Sequence, residues 1–175
     1  MSKSTDPQAA PGALEEVRQL LNTWLIPNDT RVPTEDFEEH ARRRGLTRRQ
    51  SAELRRLRDD IRAALEDDTA LDPMLNRWIE QTGVEVEVVD GQVRFAHDDT
   101  PAGHTVAVIL DAVGGGQWPR LKACPDCRWV FYDHTRNGSK RWCLMNAAGS
   151  QGRGCGNIAK VRRYRARHSD QTGAT

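Results

Sequence analysis

Residues 124–167 read CPDCRWVFYDHTRNGSKRWCLMNAAGSQGRGCGNIAKVRRYRAR, and they hold all four cysteines of the chain. Cys124 and Cys127 form a C-x2-C. Fifteen residues separate Cys127 from Cys143, and eleven separate Cys143 from Cys155. A C-x2-C lets two thiolates of one tight turn face the same ion, and Pro125 pre-sets a turn dihedral. With Cys143 and Cys155 the set becomes four soft, charged ligands. That is the donor set of a closed tetrahedral zinc site, which is structural because no position is left for substrate. The competing readings are buried free thiols and two disulfides. No secretory leader is visible, so a reducing, cytoplasmic setting is expected, which disfavours disulfides. Because Cys143 and Cys155 are not themselves a C-x2-C, His134 is a second candidate for one of their two places. An iron–sulfur cluster fits less well, since the segment is strongly basic and lacks the usual cluster spacings.

The C-x2-C is followed by Phe131-Tyr132-Asp133, then by the run Thr135 to Cys143, then by Cys155-Gly156-Asn157 and a basic stretch. Over about 45 residues this pattern resembles a CGNR-type zinc finger. Such fingers are usually fused behind a helical domain called ABATE, in proteins described as stress-induced transcriptional regulators. The resemblance therefore implies a DNA-binding regulator with an ABATE-like N-terminal domain that senses a small-molecule effector or dimerises. This chain departs from the pattern twice. Ile158 stands where the motif has Arg, and residues 146–154 look like a loop inserted between the last two cysteines.

Charge is distributed to match. The net charge is only +1, yet 118–168 carries twelve Lys or Arg against two acids, while 1–117 carries fourteen against twenty-two. A basic module joined to an acidic one leaves the C-terminal part as the one that seeks a polyanion. The expected contacts with double-stranded DNA are Arg136, Asn137, Lys140 and Arg141 between the second and third cysteines. In the last helix they are Lys160, Arg162, Arg163, Arg165 and Arg167. Arg136 and Asn137 are the expected base readers. No apolar run approaches the length of a membrane span.

Upstream, residues 1–12 are small and polar and read as a disordered lead, and 169–175 as a disordered tail. Helical periodicity covers 13–26, with Pro27 closing it. Thr34 is the expected cap of a short helix to Arg44. Thr47-x-x-Gln50 is a capping box opening a long helix to about Glu66, with Ala52, Leu54, Leu57, Ile61, Ala64 and Leu65 as its apolar stripe. The arginines of that helix, among them Arg58 and Arg62, read as a solvated face paired with local acids. Asp72-Pro73 reads as a cap followed by proline in the first turn of the next helix. Residues 84–89 alternate, turn at Asp90-Gly91 and return as 92–96, so a hairpin with one buried valine face is expected. Residues 105–113 read as a buried helix, and Gly114-Gly115-Gly116 as the boundary with the finger. Within the finger, 118–123 and 129–133 are expected as paired strands. Trp142 is expected to cover the metal, Cys155 to start the last helix, and Ile158 and Val161 to pack inward.

The fold class expected is α+β: a mainly helical domain with one hairpin at 13–116, then a small treble-clef-like or ribbon-like finger at 117–168. No nucleophile elbow, phosphate-cradling Gly-Lys loop or His-Glu metal helix occurs, so no catalytic residue is assigned. Asp133, His134, Arg136 and Asn137 read as a turn whose polar side chains hold the backbone. Two other classes remain open at this level. One is a zinc-stapled protein- or RNA-interaction module. The other is a small-molecule-binding or enzymatic accessory protein with a pocket near His97 and His104.

Overall fold

Thr47 opens the longest helix as its sequence dictates: its hydroxyl accepts from the Gln50 amide, and the Gln50 side chain accepts from the Thr47 amide. The computed structural model describes residues 6–27, 30–66, 70–144 and 154–169, with side chains of the last helix described through Arg165. The expectations for residues 1–5, for 146–153 of the inserted loop, for the Arg167 side chain and for 170–175 lie outside the described residues.

Helices α1 (Leu14–Leu21), α2 (Phe37–Arg43), α3 (Arg48–Ala64), α4 (Leu71–Thr82) and α5 (Pro101–Gly114) build the body. Three two-stranded antiparallel ladders interrupt or follow them. These are β1 (Trp24–Leu25) with β2 (Thr34–Glu35), β3 (Glu85–Val89) with β4 (Gln92–Ala96), and β5 (Leu121–Ala123) with β6 (Val130–Tyr132). Helix α6 (Cys155–Ser169) closes the order. Among the described residues no helix is long and apolar enough to cross a membrane.

Helix α5 is the centre of the body, packing against α1, α3, α4 and β4. Its apolar residues lie on most of its circumference, as a helix surrounded by others requires. Thr100 caps it, accepting from the Gly103 amide. Leu54, Leu57, Ile61 and Ala64 of α3 are buried at helical spacing, as are Leu14, Val17 and Leu21 of α1 and Met74, Leu75 and Trp78 of α4.

Several expectations are corrected. Helix α1 stops at Leu21 because the Asn22 carboxamide leaves the helix to pair with β6: its Nδ2 donates to the Val130 carbonyl at 2.8 Å, and its Oδ1 accepts from the Val130 amide at 2.7 Å. Trp24 then lies in a strand. Thr34 is in strand β2, and Asp36 takes the N-cap position of α2. Helix α4 begins at Leu71, so Asp72 and Pro73 lie inside its first turn. Residues 118–120 form a 3₁₀ turn before β5 begins.

Arg58 and Arg62 are not on a solvated face. Arg58 is buried and forks onto both oxygens of Glu35, at 2.6 and 2.9 Å. Arg62 is buried with its NH1 on the Leu21 carbonyl at 2.6 Å, its NH2 on the Arg128 carbonyl at 3.0 Å, and its guanidinium 4.5 Å from the Trp24 ring centre. Burial, then the neighbouring positive charge of Arg58, pushes its pKa down to about 10.

The β3–β4 hairpin turns at Asp90-Gly91, both with positive φ (53° and 74°), as a type I′ turn requires. Its valine face is not buried. Val84 and Phe95 at its base meet the core, but Val86, Val88 and Val93 stand 68%, 71% and 59% exposed.

Residues 6–12 are not a disordered lead. Gln8 is buried and straps the chain to the finger: its carbonyl accepts from the Tyr132 amide at 3.0 Å, its Nε2 donates to the Cys143 carbonyl at 3.0 Å, and its Oε1 accepts from Trp129 Nε1 at 2.9 Å. Nor does Gly114-Gly115-Gly116 separate two cores. Trp118, Leu121, Val130 and Tyr132 join the same apolar cluster as α1, α3, α4 and α5.

Candidate metal centre and nucleic-acid interface

Strand β6 has two faces, and each belongs to a different core. Val130 and Tyr132 point into the helical body, while Phe131 between them packs with Cys124, Cys127, Cys143 and Cys155. The period of two in a strand makes this division automatic. Leu121 pairs with Tyr132 and Ala123 with Val130, so β5 delivers the chain to Cys124 at the end of the ladder.

There the chain turns back on itself. The Cys124 amide donates to the Trp129 carbonyl and the Arg128 amide to the Cys124 carbonyl, both at 2.9 Å. Arg128 closes this knuckle with φ of 61°, a left-handed conformation that costs a non-glycine residue roughly 1 kcal/mol. Its neighbours hold it there: Arg62 caps its carbonyl, and its guanidinium meets Glu66 at 3.1 Å.

The four cysteines are free and buried, and their Sγ atoms all lie within 4.8 Å of one another. Cys127 and Cys143 approach to 3.4 Å, and Cys143 and Cys155 to 3.5 Å. A tetrahedral zinc ion with Zn–S bonds of about 2.3 Å needs sulfurs about 3.8 Å apart, so the set fits the ion. Hydrogen bonds from Cys127 and Cys143 hold Cys124 as the thiolate, far below the usual thiol range. Its hydrogen bond to Cys124 pushes Cys127 up to about 12, and those to Cys124 and Cys127 push Cys143 higher still. All four sulfurs would hold a divalent cation as thiolates. His134 takes no part. Its Nε2 lies 2.8 Å from the Ala9 carbonyl, and its ring sits 4.8 Å from Tyr132. Trp142 packs against the sulfur cluster, as expected.

The loop from Asp133 to Cys143 is held by one buried carboxylate. Asp133 accepts from the Thr135 amide (2.9 Å) and hydroxyl (2.6 Å), the Lys140 amide (2.8 Å) and Lys122 Nζ (2.9 Å). Burial raises its pKa, but the hydrogen bonds from Thr135 and Lys122 outweigh that and hold it well below the usual carboxylate range. The expected backbone clamp is made by Asp133, while Arg136 and Asn137 are exposed. Arg120 adds three bonds, to the carbonyls of Asp133, Thr135 and Arg136. Arg136, Asn137 and Arg141 are exposed on this pinned loop. Lys140 is half-buried, its ammonium 5.0 Å from the Phe131 ring centre.

Cys155 is the first residue of α6, so the metal site fixes the helix start. Asp126, inside the C-x2-C, fixes the helix further along. Its carboxylate accepts from Arg162 at 3.0 Å and lies 3.5 Å from Arg31, whose NH1 also reaches the Asp126 carbonyl at 3.1 Å. Arg162 is therefore engaged with the knuckle. Lys160, Arg163 and Arg165 are exposed. Ile158 is half-buried, but Val161 is 48% exposed and does not pack inward. Asp126, Arg31, Lys122 and Arg120 went unnoticed in the sequence. The signal for Asp126 was present, an acid between two ligands in an otherwise basic module.

Residues 120–168 match the family model of the CGNR zinc finger. No curated protein matches the chain. The match leaves residues 13–116 outside. The C-terminal quarter of this chain is thus similar to the CGNR zinc finger, and its four cysteines are placed to hold one structural zinc ion.

Proposed function

We propose that the protein binds double-stranded DNA through its finger and acts as a transcriptional regulator in the cytoplasm, with the helical body sensing an effector or dimerising. The observation that carries the reading is the mounting of α6. Its start is pinned by a metal ligand and its side by Asp126, and it carries Lys160, Arg163 and Arg165 exposed on a rigid element. Charges held in place on a module of twelve bases and two acids suit a phosphate lattice better than a loose basic tail does. Arg136, Asn137 and Arg141 add an exposed loop held by Asp133. No catalytic role forms part of this reading.

Fluorescence anisotropy of a labelled duplex across a salt series tests it. With about six phosphates neutralised, log affinity falls against log salt with a slope near −5. Lys160→Ala with Arg163→Ala makes the slope shallower by about two, zinc content unchanged. Duplex affinity that ignores both changes defeats the reading and favours a protein-interaction module.

For dimerisation, the exposed face of Val86, Val88 and Val93 is the supporting feature, and light scattering of a Val88→Lys variant checks it. For an effector, the supporting feature is an open groove of about 800 Å³ between the helical body and the knuckle. Leu65, Leu71 and Trp118 line one part of it and Lys140 and Arg141 another.

A further inference from the structure

Helix α6 carries an exposed line of side chains between its flanking cations. Cys155, Ile158 and Arg162 recur at i, i+3 and i+7 and form the anchored side: a buried ligand, a half-buried isoleucine and the partner of Asp126. Asn157, Val161 and Tyr164 recur at i, i+4 and i+7 along a different line, and all three are exposed. At 3.6 residues per turn the two lines are roughly 125° apart, so the second faces away from the anchored side. Lys160 lies beside this second line on one flank and Arg165 on the other, both exposed.

Val161 at 48% and Tyr164 at 59% exposure are the large apolar side chains this otherwise polar helix shows to solvent. A tail that served only to be soluble, or only to attract phosphate, would gain nothing from them. A helix lying in the major groove needs this cross-section: cations on both flanks for the two phosphate walls, and a strip between them that can meet base edges. The chemistry of the strip suits that use. A carboxamide can pair with adenine N6 and N7, and valine methyls and a tyrosine ring can pack on thymine methyl groups.

We infer that Asn157, Val161 and Tyr164 are the base-reading edge of α6, with Lys160 and Arg165 as its phosphate contacts. This rests on the duplex-DNA reading above and moves sequence discrimination from the Arg136–Asn137 loop to the helix. It also gives Ile158 a bounded role. That residue faces the anchored side, so the departure from the motif arginine leaves the reading edge intact.

The experiment selects a preferred duplex from a random pool with the full-length zinc-loaded protein. It then compares affinity for that duplex and for a scrambled one at a single salt concentration. Val161→Ala, Tyr164→Ala and Asn157→Ala each lower the preferred-over-scrambled ratio, roughly five- to a hundredfold. They leave scrambled-duplex affinity within about twofold, because the phosphate contacts remain. Lys160→Ala lowers both affinities together. Zinc content is measured for every variant, and because Asn157 is close to Cys155, Val161 and Tyr164 carry the test if that variant loses metal. Ridge variants that leave the ratio unchanged, or that lower both affinities equally, overturn the inference. So does a wild-type protein that binds duplex without preference, though the DNA reading then survives. Tighter binding to single strands that Tyr164→Ala abolishes would assign the ridge to base stacking and overturn it as well. Failure of the wild type to bind either duplex defeats the DNA reading itself, and capture of an acidic helical peptide dependent on Val161 would then name the other occupant.

Discussion

Val130 and Phe131 are neighbours on one strand but serve different cores. Val130 closes an apolar core of five helices, where stability comes from area removed from water. Phe131 lies against four sulfurs in a cluster with a few aromatic side chains around it. A module that small cannot sustain itself by burial and needs the metal. The difference is one of kind: the body would keep most of its cohesion if one contact were lost, whereas the finger would lose its organising centre with one ion. Yet the two share β6, so neither is indifferent to the other.

Removing zinc is the strongest way to break that comparison. Metal analysis should find one zinc per chain, and Cys155→Ser should abolish stoichiometric retention. Chelation costs the finger on the order of 10 kcal/mol. In hydrogen exchange, α6 amides should lose protection entirely, while α3 and α5 amides stay protected but less so, since Leu121, Val130 and Tyr132 lose their support. Unchanged protection in α3 and α5 would show two independent cores.

A pair of substitutions on β6 sharpens it. Phe131→Ala should cost about 3–5 kcal/mol in denaturant unfolding and loosen zinc in a chelator competition. Val130→Ala should cost about 2 kcal/mol and leave zinc affinity unchanged. Equal loss of zinc affinity in both would erase the distinction between the two faces.

Arg62 tests the joint. Arg62→Met keeps the stem but leaves the Leu21 and Arg128 carbonyls without their donor, so a loss of about 3 kcal/mol is expected in chemical denaturation, with zinc retained. A change within about 0.5 kcal/mol would show that apolar packing alone holds the joint.

Asp133 gives the smallest effect and a pH signature. Its folded pKa is depressed, so its contribution is present above the unfolded value near 4 and is lost as pH falls below that. Asp133→Asn should cost about 2 kcal/mol at neutral pH, and the gap from wild type should begin to close below about pH 4 and narrow further as pH falls towards the much lower folded pKa. A gap independent of pH would mean that the carboxylate charge does not hold the loop.

What the sequence made legible was what local chemistry decides. The Thr47–Gln50 box, the Asp90-Gly91 turn, the start of α6 at Cys155 and the four sulfurs all depend on residues within a few positions or on a donor set. What it hid depends on distant partners. Periodicity marks Arg58 and Arg62 as polar positions next to an apolar stripe, but the groups that accept them lie on α1, β2 and the knuckle. Asn22 looks helical until the edge of β6 is beside it. The valines of β3 alternate as buried strands do, but only Val84 and Phe95 at the base of the hairpin reach the body, and Val86 and Val88 stand in solvent. Gln8 looks like part of a loose lead because its three partners lie more than 120 positions away.

That last contact has a consequence for how the chain is made. Residues 6–10 leave the ribosome well before the groups that hold Gln8, which belong to Trp129, Tyr132 and Cys143. At about 5–20 residues per second, the segment waits on the order of 10 s for a place to dock. Only after Cys143 has emerged can Gln8 make all three of its contacts with the finger.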